Sequence, residues 1–228
     1  MTGKPESRHL AAKPTNLRES YDAVARAYAD EIYDELKGKP FDRELLERFA
    51  DRVRGRGQTC DVGCGPAQIA RYLKDRGVDA FGLDLSAGML REARRLNPDI
   101  GFVQSSVLEL GLASESIYAM AAFYSIIHVP RRQVVSALKE MRRVLQPGGL
   151  LLVTFHLGSE DSHHEEMLGH AVNLDVAFFT TEEMSSYLRG AGFLIEEALE
   201  RDPYAPEVEY QSRRGYLLVS KPRNSRFA

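Results

Sequence analysis

The chain has 228 residues, 43% hydrophobic and 28% charged, with a formal net charge of −3. That is ordinary globular sequence for one larger domain, and the acidic balance gives no sign of the basic face of a nucleic-acid binder. No window reaches 18 apolar residues without a charge, which excludes a membrane-spanning helix, and residues 1–15 hold no apolar h-region, so no secretory signal is expected.

The elements follow in chain order. Residues 1–16, with Lys4-Pro5 and Lys13-Pro14, read as a tail or a strap that orders on binding. Tyr21, Val24, Ala25, Tyr28, Ile32 and Leu36 then recur at helical spacing, until Gly38-Lys39-Pro40 breaks the helix. Phe41, Leu45, Leu46, Phe49 and Val53 mark a second helix near 41–54. The two helices form a cap over 17–56. Strand one ends Thr59-Cys60-Asp61-Val62, and a glycine turn leads to a helix over 66–76. Strand two is expected at 79–83, and Ser86 caps a helix to about 96. Strands three and four are expected at 100–104 and 117–124. A helix over 131–145 stops at Gln146-Pro147-Gly148-Gly149, and the apolar run 150–155 reads as a strand buried on both faces. Residues 157–179 are expected to be a lid over the acceptor. Within it His163, Glu166 and His170 would share one face of a helix. That spacing suits metal ligands, a solvated face or a lid, and no metal is assigned. Thr180 and Glu183 form a capping box for a helix to about 189. The last two strands are expected at 193–199 and 216–220. The loop 202–214 between them either borders the acceptor site or is a surface turn. Arg213-Arg214 reads as solvated charge. Residues 223–228 are a second tail. The reading is one domain over 17–222, with its cofactor-binding half at 57–156.

Strand-helix alternation of this kind argues for a doubly wound parallel sheet, whose ligands sit at the carboxyl ends of the strands. The chemistry should therefore lie just after Asp61, Asp84, Gln104, Tyr124 and Phe155. Asp61-Val62-Gly63-Cys64-Gly65-Pro66-Ala67 crosses from strand one to its helix, and glycines at 63 and 65 permit close backbone approach to a ligand. Asp84, at the end of strand two, is placed to accept both hydroxyls of a ribose. A dinucleotide fingerprint would need glycine where Gln68 stands. A pyrophosphate would also be repelled by Asp61, whereas an ammonium group would be welcome there. A ribose acid beside an ammonium acid fits an amino-acid nucleoside, of which S-adenosylmethionine is the common example.

On these residues the chain resembles the class I S-adenosylmethionine-dependent methyltransferases of the small-molecule type. Asp61 to Gly65 looks like the family's first motif, and Gly82-Leu83-Asp84-Leu85-Ser86 its second, followed by Met89-Leu90 and Ala93. Val144 to Gly149 looks like the turn before its fifth strand. Tyr21-Asp22, Ala25 and Tyr28 look like its cofactor-covering helix. The resemblance implies a Rossmann-like α/β seven-stranded sheet, order 3-2-1-4-5-7-6, with strand seven antiparallel. It implies that Gly63 and Gly65 meet the methionine part, Asp84 the ribose, and Leu85 and Met89 the adenine, with Tyr21 or Tyr28 closing over. Cys64, Ser105, Ser106, Val107 and Tyr124 complete the implied cofactor set. The departures are Ala67 for a usual third glycine, and Ser105-Ser106 where Gly-Asp commonly stands.

The sulfonium supplies its own activation, so a dedicated base is optional. His128 is a candidate general base or a structural histidine at a helix start. His156 is a candidate substrate contact or base, and Tyr124 lines the site or packs in the core. The expected partner is a small-molecule methyl acceptor, with no nucleic acid and no membrane, on a cytoplasmic monomer or homodimer. Cys60 and Cys64 then read as reduced thiols, since a zinc site needs more ligands. The rival readings are a catalytically silent protein that binds the same cofactor and, less favoured, a nicotinamide-dependent oxidoreductase.

Overall fold

The computed structural model describes residues 14–223. The outer parts of the two expected tails, 1–13 and 224–228, lie outside the described residues. Asn16 accepts a hydrogen bond from the Glu19 amide and so starts α1, Leu17–Ile32. A 3₁₀ turn at Glu35–Gly38 and Pro40 in the first helical turn then set α2, Pro40–Val53. The alternating core follows as β1 (Thr59–Val62), α3 (Gln68–Lys74), β2 (Ala80–Asp84), α4 (Ala87–Leu96), β3 (Phe102–Gln104) and β4 (Ile117–Phe123). After a 3₁₀ turn at Ile126–His128 come α5 (Arg131–Val144) and β5 (Leu145–His156). The chain ends with β6 (Ser162–Met167), β7 (His170–Val176), α6 (Thr181–Gly190), β8 (Leu194–Arg201) and β9 (Arg214–Ser220).

The main sheet runs β3-β2-β1-β4-β5-β9-β8. Its first five strands are parallel, and β9 lies antiparallel to both β5 and β8. This is the expected topology, with β8 and β9 as its sixth and seventh strands. One face packs Leu138, Met141 and Met184 from α5 and α6, and the other packs Leu46, Phe49 and Leu73 from α2 and α3. Burial on both faces explains the unbroken apolar run of β5.

The segment 157–179 departs from the helical possibility. It forms the antiparallel hairpin β6–β7, with the Leu168-Gly169 turn at φ 52° and 75°. Two positive φ values in a two-residue loop match the twist of paired strands. Val172, Leu174 and Val176 alternate at a period of two. The first two pack against Val24 and Ala25 of α1. Asn173 donates its amide to Ser20 Oγ at 2.8 Å. On the other side of α1, Asp22 Oδ1 accepts from Ser86 Oγ and the Gly88 amide, each at 2.6 Å, at the start of α4. The helix α1 and the hairpin thus meet as a roof above the carboxyl ends of the strands.

Candidate functional site

Beneath that roof lies a cavity of about 740 Å³. The cofactor end is built on the β1–α3 turn. Gly63 has φ 70°, and a Cβ there would stand 2.4 Å from Ser125 Cβ, so glycine is required sterically as well. Ala67 takes φ 71° immediately before α3 and offers no side chain to cap it. Asp61 fills that role from β1, its Oδ2 accepting the Ala70 amide at 3.0 Å.

Asp84 ends β2 and faces the turn. Its Oδ2 accepts the Gly65 amide and its Oδ1 the Ser86 amide, both at 2.8 Å. Burial raises its pKa, against the pull of those amides. Burial raises the pKa of Asp61 to about 7. Among the described residues no ion pair joins either carboxylate to a lysine or arginine. Two uncompensated acids suit a ligand that brings a cation and hydroxyl donors, and they disfavour a pyrophosphate.

Most of the sequence-predicted residues share this cavity. Tyr21, Tyr28, Asp61, Gly63, Cys64, Asp84 and Leu85 line it, as do Ser105, Ser106 and Val107 beyond β3. Two predicted contacts are not among the lining residues. Gly65 faces the Tyr28 ring, and Met89 is buried against Val24, Ala25, Val172 and Leu174.

The far end of the cavity contains Tyr124, His128 and His156. Tyr124 has φ 52°, and its amide donates to Thr154 Oγ1 at 2.9 Å. An aromatic residue held in the left-handed region is strained, and such strain gathers at functional sites. The Tyr21 hydroxyl lies 2.7 Å from His128 Nε2, and His128 Nδ1 lies 2.9 Å from the Asp175 carbonyl. The carbonyl only accepts, so Nδ1 carries the proton and Tyr21 donates to Nε2. Burial lowers the pKa of His128 and so favours its neutral form.

His163, Glu166 and His170, weighed as sharing one helical face, lie instead on the two strands of the hairpin. His163 pairs with Asp175 at 2.7 Å, whereas Glu166 lines the cavity and His170 begins the next strand. No group of three metal-ligating side chains exists among the described residues.

Sequence reasoning missed a buried ionic cluster on the acceptor side. Arg201 holds Asp42 at 2.8 Å and also pairs with Glu209, while Lys39 pairs with Glu35 at 2.5 Å. Lys39, Glu35, Glu209 and Arg214 all reach the cavity. Arg214 is 2% exposed, which corrects its reading as solvated charge; Arg213 is exposed, as expected. The signal lay in strand pairing, because antiparallel β9 sets Arg214 opposite His156. Neither residue alone reveals this.

Comparison with known proteins gives three findings. A family model described as a methyltransferase domain matches residues 60–149. The malonyl-[acyl-carrier protein] O-methyltransferase of Enterobacter lignolyticus is 36% identical over 117 residues, covering 49% of this chain and 46% of that protein. The demethylmenaquinone methyltransferase of Renibacterium salmoninarum is 36% identical over 146 residues, covering 63% and 60%. The chain therefore spans about half to three fifths of the length of these curated relatives. Among solved structures, the Burkholderia thailandensis 1,6-didemethyltoxoflavin-N1-methyltransferase, which has S-adenosylhomocysteine bound, superposes with a TM-score of 0.62 at 16% identity, covering 92% of this chain and 93% of that one. At that identity the likeness concerns the fold.

Proposed function

Since the chain carries a class I S-adenosylmethionine-dependent methyltransferase domain, we propose that it moves the methyl group of S-adenosylmethionine to an O, N or C atom of a small molecule. The observation that carries this is the pair of cation-free carboxylates, Asp61 and Asp84, on either side of the Gly63–Gly65 turn in one roofed cavity. The bound cofactor supplies an activated methyl group on a sulfonium. Asp84 would take the ribose hydroxyls on its remaining lone pairs, and Asp61 the ammonium group. Tyr21 and Tyr28 would cover the cofactor from α1, with Leu85, Ser105, Ser106 and Val107 flanking the base. The rest of the cavity would orient the acceptor and exclude water.

His128 is the proposed proton acceptor. Its Nε2 is reached through the Tyr21 hydroxyl, so a proton leaving the acceptor would pass by way of Tyr21. The hairpin β6–β7 is the proposed acceptor lid, with Ser162, His164 and Glu166 on the cavity side. The names of the relatives support a small-molecule acceptor. Those names concern malonyl-[acyl-carrier protein] and demethylmenaquinone in those proteins and do not choose an acceptor for this chain.

The test is calorimetric titration with S-adenosylhomocysteine, with NADH in parallel. One-site micromolar binding to the first and none to NADH is expected, with at least a tenfold loss in Asp84→Ala. Unchanged binding in that variant would reject the assigned site. Methyl release into no acceptor of a broad panel, despite tight binding, would favour the catalytically silent reading.

A further inference from the structure

His156 is fixed in a way a base does not need. Its Nδ1 lies 2.5 Å from Nη1 of Arg214 and 2.7 Å from Oγ of Ser212. A guanidinium only donates, so Nδ1 must present its lone pair, and the ring proton stands on Nε2. Both ring faces are covered. Tyr124 stacks at 5.1 Å and 28°, and Phe178 lies at 5.3 Å and 31°. Tyr210 approaches at 5.7 Å and 74°. His156 still lines the cavity, so the edge it presents there is the one bearing Nε2–H. No hydrogen bond to Nε2 exists among the described residues.

The support is rigid. His156 and Arg214 are register partners across β5 and β9. Arg214 also donates to the Tyr210 carbonyl at 2.7 Å and pairs with Glu209 at 3.5 Å. A charge-assisted bond into Nδ1 draws electron density from the ring and strengthens the N–H on its other side. Burial, and then the charge of Arg214, hold the pKa of His156 down at about 3, with His128, Glu209 and Lys39 also facing it.

The geometry points to His156 as a permanent hydrogen-bond donor to the methyl acceptor, which therefore carries a lone-pair oxygen there: a carbonyl, a carboxylate or an ionised hydroxyl. Arg214 and Ser212 are positioning residues that set the tautomer. The substrate class rests on the methyltransferase reading; the tautomer does not.

The experiment has two arms, both on the full chain saturated with S-adenosylhomocysteine. In the first, ¹⁵N spectra of histidine-labelled protein should show His156 with Nε2 protonated and Nδ1 bare, unchanged from pH 5 to 9. A proton on Nδ1, or a titration midpoint near 6.5, would overturn the assignment. Arg214→Gln, whose amide can accept as well as donate, should release the tautomer and let a proton appear on Nδ1. In the second, 1-naphthaldehyde, 1-naphthoate and 1-naphthylmethylamine are titrated in. The two oxygen compounds should bind at least fivefold tighter than the amine, and His156→Phe, which keeps the ring stack, should erase the preference. Preference for the amine, binding of none of the three, or a preference that survives His156→Phe would each overturn the proposal. Failure to bind S-adenosylhomocysteine, with the tautomer intact in the free protein, would instead reject the methyltransferase reading.

Discussion

Raising the pH from 6 to 8 should tighten S-adenosylhomocysteine binding about tenfold, and Asp61 is the reason. Its carboxyl is buried on β1 with a pKa near 7, so it is largely protonated in the free protein at pH 6 and largely ionised at pH 8. The proposed ammonium contact needs the ionised form. The ionised fraction goes from about one eleventh to about ten elevenths, a factor of about 10 or about 1.4 kcal/mol. Stability of the free protein should move the other way. A carboxyl raised from 3.8 to about 7 stabilises the fold when protonated, and that contribution is lost as pH rises from about 4 through 7. Asp61→Asn keeps an acceptor for the Ala70 amide and removes the buried charge. It should therefore raise the melting temperature of the free protein at pH 8 by several degrees, while weakening binding and flattening its pH dependence. Titration calorimetry at constant ionic strength and thermal melts at each pH decide it. Equal affinity at pH 6 and 8, or an Asp61→Asn variant that keeps the slope, would refute the reasoning.

Other parts of the structure give further expectations. Ala67 is fully buried at φ 71°, so Ala67→Val should destabilise by at least about 2 kcal/mol in urea titration, through backbone strain and overpacking. Asp22→Ala removes the two hydrogen bonds from α1 to the start of α4 and leaves the exposed Arg26–Glu92 pair. It should cost about 1–2 kcal/mol and expose α1 to limited proteolysis. Glu209, whose side chain is 1% exposed, faces Arg201, Arg214 and Lys39, so Glu209→Gln should destabilise by about 3–5 kcal/mol in denaturant melts. Burial acts to raise the Glu209 pKa, but bonds from Arg201 and the Tyr204 amide hold it at about 2. Its contribution is present above about 4.5 and lost as pH falls towards 2, so Glu209→Gln should also flatten the acid limb of the stability curve.

The sheet was legible because its signals are local. Glycine turns, caps at Ser86 and Thr180, and apolar runs each mark one element, and all six longer helices and the seven main strands fall near their expected places. The resemblance in the glycine turn and the second motif supplied the strand order. The hairpin was not legible because Val172, Leu174 and Val176 alternate against a partner strand of histidines and glutamates, and a Leu-Gly turn is a weaker hairpin signal than Asn-Gly. Arg214 and Glu209 were missed for a different reason. A buried charge looks like any surface charge until the pairing of β5 with β9 and the contact with Arg201 are known, and both depend on residues far apart in sequence.

The roof has a kinetic meaning. Helix α1 leans on the hairpin through Ser20 and Asn173 and on α4 through Asp22, so the cover over the cavity is a three-way joint rather than a free flap. A ligand beneath it leaves only when part of that joint parts. Residence time should then track how often α1 lifts, and a change at Ser20, which touches no ligand site, should shorten it.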